Sequence, residues 1–321
     1  RFNGEKCMKV LLDVDTGVDD AAALLYMLFK PQYDIVGIGT VCGNVEARLA
    51  AENTLKVLDL ADAPDIPVVA GAEKPVCGTW PGRVREIHGD NGLGNTELPP
   101  TGRSPAEEEI EDFYMRLADK YAGELTLITL GPLTNVARTL KKYPEFARKI
   151  RRMVMMGGTV AMRGNVSPMG EANVTGDPEA CDQVFLSGMD ITAVGLDVTM
   201  KVRLRRQHIE WLNRRRSAWA AKAVNFLNRA LEYYWYGNQM QNYCIDDCPL
   251  HDPLAAIYAG TTGILRTETR RARVECDGTY TRGMIVTDLR EHPIPGGDIH
   301  FAVEADADRA IREFLSAFWE E

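Results

Sequence analysis

The sequence predicts an α/β fold, a single open, mostly parallel sheet with helices on both faces. Three observations predict it. Short apolar runs alternate with longer segments of helical periodicity almost from end to end. No linker, internal repeat or low-complexity stretch breaks that alternation, which points to a single domain over residues 8–321. The residues best suited to chemistry fall just after the apolar runs, and open parallel sheets bind ligands at the carboxyl ends of their strands.

Residues 9–14 read as a first strand that ends in aspartates, and 18–29 as a buried helix stopped by Pro31. Strands follow at 34–39 and 66–69, with a helix at 45–60 between them. Residues 71–104 are rich in Gly and Pro and read as a long loop, a length at which loops are often functional. A helix with an acidic start is expected at 105–121 and a strand at 125–130. Gly131-Pro132-Leu133-Thr134-Asn135 opens another helix, with proline in its first turn. Strands at 153–156 and 191–194 flank a helix at 178–186. A long helix at 217–236 ends in the aromatic run Tyr233-Tyr234-Trp235-Tyr236, and a late helix starts at His251. The tail offers strands at 272–275, 283–287 and 299–303, then a helix at 307–318. Segments 80–91 and 236–247 are expected to be the mobile loops near a ligand. Met8 directly precedes the first strand, so residues 1–7 are expected to be a cloning remnant or a truncated start.

The 321 residues are 45% hydrophobic, ample for a large core, and carry a net charge of −9. An acidic chain excludes nucleic acid as a general partner, because phosphate backbones need a basic face. The basic run 203–216 is interspersed with Gln207, His208 and Glu210 and reads as a solvated helix face. Seven scattered cysteines, an odd number, form no CxxC or zinc pattern and suggest reduced thiols in the cytoplasm. No apolar run is long enough to span a membrane.

Asp13, Asp15, Asp19 and Asp20 stand within eight residues. Four neighbouring carboxylates repel one another, and a cation is the simplest compensation. Oxygen ligands without nearby His or Cys call for a hard ion, Ca²⁺ or Mg²⁺. Helix capping would explain one or two of these aspartates but not four. Asn165, Glu171 and Asn173 occupy a Gly-containing loop and can donate to and accept from hydroxyls, as a sugar requires; a simple turn cluster is the alternative. His251-Asp252-Pro253 stands at a helix start. There Asp252 could ligate the ion or cap the helix, and His251 could give up a proton near neutral pH. His88 lies in the long loop. Trp80 and the aromatic run could stack on a planar ligand, although helix-end aromatics are more often core.

These motifs together resemble the nucleoside hydrolases of the inosine–uridine-preferring type, from Val10 to the tail. The aspartate cluster is similar to that family's N-terminal signature. Gly131–Asn135, Met156-Gly157-Gly158, the Asn165/Glu171/Asn173 spacing and His251-Asp252-Pro253 support the likeness. The resemblance implies a nucleoside hydrolase-like domain with a Rossmann-like core. It implies Ca²⁺ held by Asp15, Asp20, Asp252 and the Leu130 carbonyl. Asp19 would be the general base acting on a calcium-bound water, and His251 would favour departure of the base. Asn44, Asn165, Glu171 and Asn173 would hold the ribose, with His88 and Met156 also lining the substrate site. The implied reaction is hydrolysis of ribonucleosides to base and ribose in nucleoside salvage, by a homodimer or homotetramer. Two departures stand out: Thr16 replaces the signature's usual proline, and Ala172 replaces an aromatic common in the ribose loop.

Two other readings compete. Asp13-Val14-Asp15-Thr16-Gly17 also fits a haloacid-dehalogenase-type phosphatase, with Asp13 as nucleophile, but that leaves Asp19, Asp20 and His251-Asp252 unused. A nucleoside-binding protein without turnover would keep the same ligand residues.

Overall fold

A computed structural model describes residues 7–242 and 244–320; residues 1–6 of the expected leading segment lie outside the described residues. The strands are β1 Met8–Val14, β2 Tyr33–Thr40, β3 Val68–Ala70, β4 Leu125–Thr129, β5 Ile150–Met156, β6 Ile191–Val194, β7 Arg203–Arg205, β8 Asp247–Pro249, β9 Leu265–Val274, β10 Ile285–Asp288 and β11 Gly297–Ala305. Nine of them form one sheet in the order β10-β9-β11-β6-β5-β4-β1-β2-β3. From β11 to β3 every neighbouring pair is parallel, whereas β9 runs antiparallel to both β11 and β10. β7 and β8 make a small antiparallel ribbon of their own.

The central strands are apolar on both sides because both sides are covered. In β1, Val10 and Leu12 join one buried cluster and Leu11 joins another. The first cluster packs under the helices Val18–Phe29, Ala221–Asn242 and His251–Gly260. The second packs under Ile110–Lys120, Thr134–Lys142 and Pro178–Phe185. Among the described residues no helix is long and apolar enough to cross a membrane.

Three differences from the expected elements have physical causes. The helix expected from residue 105 starts at Ile110, because the preceding segment runs beside β3, where Ala106 N–H donates to the Val68 carbonyl at 2.7 Å. β9 begins seven residues before the strand expected at 272, since its Arg, Glu and Thr residues lack an apolar signal and pair as an antiparallel edge. The long helix continues through Gly237 to Asn242, so the mobile loop expected from 236 is helical over its first half. Gly237 is there for close approach: a Cβ would lie 2.4 Å from the Glu86 carbonyl oxygen and 3.0 Å from Ile87 Cα. Likewise the long loop contains the short helix Arg85–His88, against which the Ala221–Asn242 helix packs.

Asn135 ties the strand ends together. Its amide nitrogen donates to Asp13 Oδ1 at 3.0 Å and to the Thr40 carbonyl at 2.9 Å, and its oxygen accepts from Ala72 N–H at 2.9 Å. Asp13 is thereby a buried support at the end of β1. An Asn135→Leu substitution of similar size would strand three buried polar partners, each worth about 1–3 kcal/mol when unpaired. It is expected to lower unfolding stability by more than about 2 kcal/mol in urea titrations, while a surface change such as Lys141→Ala should leave stability nearly unchanged.

Candidate active site

The carboxyl ends of β1, β2, β4 and β5 open onto a cavity of about 410 Å³. Asp19 and Asp20 belong to the first turn of Val18–Phe29, and Asp252 to the first turn of His251–Gly260. Two helix N-termini therefore bring their positive ends to the same place. Ligand oxygens of Asp19, Asp20 and Asp252 lie within 4.8 Å of one another, as a metal site requires. This trio has Asp19, expected as the base, where Asp15 was expected. Asp15 stands beside it: its N–H donates to Asp20 Oδ1 at 3.2 Å, and its Oδ2 accepts from Asn44 N–H at 2.7 Å.

Burial raises the pKa values of Asp15, Asp20 and Asp252, and the neighbouring carboxylates raise them further; Asp20 reaches about 7. Asp20 is partly offset by N–H donors from Gly17, at 2.8 Å, and from Asp15. Asp15 Oδ1 and Asp19 Oδ1 are nevertheless buried without a hydrogen-bond partner. A cation would compensate both orphaned oxygens, so the donor set fits a hard metal ion. Leu130 lines the same cavity, and its carbonyl accepts from Asn173 Nδ2 at 2.6 Å.

The expected substrate residues Asn44, His88, Met156, Asn165, Glu171 and Asn173 all line the cavity. Glu171 caps the short helix Ala172–Gly176 through the N–H groups of Asn173 and Val174, and also accepts from Gly158 N–H at 2.7 Å. Asn165 Oδ1 accepts from Ala172 N–H. The loop is therefore a turn cluster as well as a polar wall: the contacts that fold it also hold its side chains at the cavity. Asn44 Nδ2 donates to Asp20 Oδ2 at 3.2 Å, which links the wall to the carboxylates.

Both expected histidines are buried. His88 Nδ1 accepts from Val18 N–H at 3.1 Å and lies 3.8 Å from Asp19 Oδ1. His251 lines the cavity, and its Nδ1 lies 2.8 Å from Thr199 Oγ1. Burial pushes the His251 imidazole down to about 4. Its ring is therefore neutral throughout the physiological range, where the sequence led one to expect a group giving up a proton near neutral pH.

The sequence matches the family described as "Inosine-uridine preferring nucleoside hydrolase" over residues 10–312. The chain belongs to this family. It is 37% identical to a probable uridine nucleosidase 2 of Arabidopsis thaliana, over 86% of this chain and 84% of that one. It is 32% identical to a pyrimidine-specific ribonucleoside hydrolase of Salmonella enteritidis, over 94% of each. Among solved structures it superposes on a plant nucleoside hydrolase with a TM-score of 0.91 at 32% identity, covering 97% of this chain and 99% of that one. A purine-preferring ribonucleoside hydrolase from Gardnerella vaginalis gives 0.89 at 33% identity, covering 96% and 97%.

As a nucleoside hydrolase the chain is an enzyme that cleaves ribonucleosides, and the phosphatase reading falls. Asp13, the nucleophile that reading needs, does not line the cavity; it is buried behind it, with Oδ1 held by Asn135. Thr16, where the signature usually has proline, exchanges a hydrogen bond with Thr54 at 2.7 Å, so the turn is pinned by a side chain. Trp80 does not reach the cavity; it lines a neighbouring one and donates from Nε1 to the Gly43 carbonyl. Sequence reasoning missed Asn238, Gln241 and Asn242, which line the hydrolase cavity together with Tyr234, weighed there only as one of a run of stacking aromatics. Their i, i+4, i+7, i+8 spacing puts them on one helical face, a signal hidden by ending the helix at 236. Tyr234 donates its hydroxyl to Asp19 Oδ2 at 2.9 Å, whereas its neighbour Trp235 is core.

The raised carboxylates set a pH dependence. Folded Asp20 binds its proton up to about pH 7, against 3.8 for an ordinary aspartate, so between those values the folded state holds more protons. Asp20, and Asp13 with it, therefore make the metal-free hydrolase less stable as pH rises from about 4 to about 7, outweighing buried His251, whose lowered pKa acts the other way only below 6.5. Thermal denaturation in chelator should show that fall, and millimolar Ca²⁺ should raise the Tm more at pH 8 than at pH 5.

Proposed function

We propose that this nucleoside hydrolase is a Ca²⁺-dependent N-ribohydrolase with uridine among its substrates, active in the cytoplasm as a homodimer or homotetramer. The observation that carries the reading is the carboxylate cluster itself: two orphaned buried oxygens and two helix N-termini beside a polar cavity of nucleoside size. Uridine is favoured by the names of the Arabidopsis and Salmonella relatives. Seven free cysteines fit a reducing compartment.

Asp15, Asp20, Asp252 and the Leu130 carbonyl would hold the ion. When bound, it supplies Lewis acidity and an anchor for sugar hydroxyls. Asp19 is the cluster member most open to the cavity and acts as the general base. Its carboxylate takes one proton from the water whose oxygen bonds to C1′ as the C1′–N bond breaks. Tyr234 holds the other Asp19 oxygen through the cleavage. The buried negative charge favours the oxocarbenium character that develops on the sugar. Asn44, Asn165, Glu171 and Asn173 hold the ribose hydroxyls, a proximity effect. His88 and Met156 complete the substrate wall. His251 donates a hydrogen bond from its neutral ring to the departing base, which then takes its proton from solvent.

A reducing-sugar assay with uridine, inosine, cytidine and adenosine should release ribose from uridine at least; nucleoside binding without any ribose would leave only a binding protein. Asp19→Asn should retain nucleoside binding but lose kcat by ~10²–10⁴, and near-wild-type turnover would remove Asp19 from its role. His251→Ala should slow uridine far more than a nitrophenyl riboside, whose leaving group needs no help. Equal losses would count against a leaving-group role.

A further inference from the structure

The His251 ring is held by a residue from a different part of the chain. Thr199 ends the short helix Leu196–Thr199 that follows β6, and its side chain is fully buried. Its Oγ1 lies 2.8 Å from His251 Nδ1. Thr199 is not on the cavity wall, whereas His251 is. The Nδ1 edge of the ring therefore faces the interior, and the opposite edge, which carries Nε2, is left for the cavity.

Hydrogen-bond bookkeeping then decides the proton. Among the described residues the Thr199 hydroxyl has one hydrogen-bond partner, His251 Nδ1. If Nδ1 carried the proton and donated to Oγ1, the threonine hydroxyl hydrogen would be buried without an acceptor, at a cost of about 1–3 kcal/mol. If the hydroxyl donates to Nδ1, both groups are satisfied and the ring proton must sit on Nε2. That is the tautomer able to donate into the cavity.

We infer that Thr199 is a positioning residue that fixes His251 as the Nε2–H tautomer and points that N–H at the departing base. The inference rests on the leaving-group reading of His251. No bond to substrate is made by Thr199; its part is to keep the donor proton on the correct nitrogen and the ring in one orientation.

The test uses the intact enzyme with Thr199→Val, which keeps the shape and removes the hydroxyl, and Thr199→Ser, which restores it. Thr199→Val should lower kcat on uridine by about tenfold or more with KM changed less than about threefold, and should leave the nitrophenyl riboside rate near wild type. Thr199→Ser should recover most of the uridine rate. Nitrogen-15 NMR of labelled histidine should show Nε2–H in the wild type and a mixture of tautomers in Thr199→Val. An Nδ1–H tautomer in the wild type, or equal losses on both substrates in Thr199→Val, would overturn the assignment. If His251→Ala is selective for uridine and Thr199→Val is not, Thr199 is excluded while the His251 role stands. If His251→Ala shows no selectivity, the underlying reading itself fails.

Discussion

Asp15, Asp19, Asp20 and Asp252 repel one another in a place that water barely reaches, and much of the architecture around them answers that repulsion. Two helices begin there and present their N-termini. Backbone N–H groups from Asp15, Gly17 and Asn44 are spent on carboxylate oxygens. Gly43 is small because it must be: a Cβ there would lie 2.0 Å from Asp15 Oδ2. These donors do not suffice, since Asp15 Oδ1 and Asp19 Oδ1 remain unpartnered. The residual charge is what a divalent cation would satisfy, and what makes the cavity suited to a sugar acquiring positive character.

The sheet supplies the registry. β1 and β4 are direct neighbours, as are β1 and β2, so Asp15, Asn44 and Leu130 come from adjacent strand ends. Asn135, just past β4, locks the ends of β1, β2 and β3 through a single side chain. Asp252 arrives from more than two hundred residues downstream because the His251–Gly260 helix packs directly on Val18–Phe29.

The sequence was most legible where pattern and chemistry agree. β1 shows as an apolar run, and the helix at Val18–Phe29 has the bounds its periodicity predicts. The aspartate density marks the site because such a concentration of like charge has few other uses. The illegible parts depend on what lies across space. The helix expected to end at 236 continues instead through Gly237, which lets it approach Glu86 and Ile87. Ending the helix at 236 hid the cavity face Tyr234-Asn238-Gln241-Asn242. Charged β9 carries no apolar signal because it pairs beyond the parallel part of the sheet. Thr199 is an ordinary threonine in sequence; only the 2.8 Å contact with His251 gives it meaning.

The proposed chemistry requires that the carboxylate cluster hold a cation. Elemental analysis of the purified protein after exhaustive dialysis tests this most directly, alongside Asp252→Asn prepared in the same way. The account predicts one Ca²⁺ per wild-type chain, and its loss together with ribose-releasing activity in Asp252→Asn. Wild-type protein free of divalent metal yet fully active in the presence of chelator would contradict it.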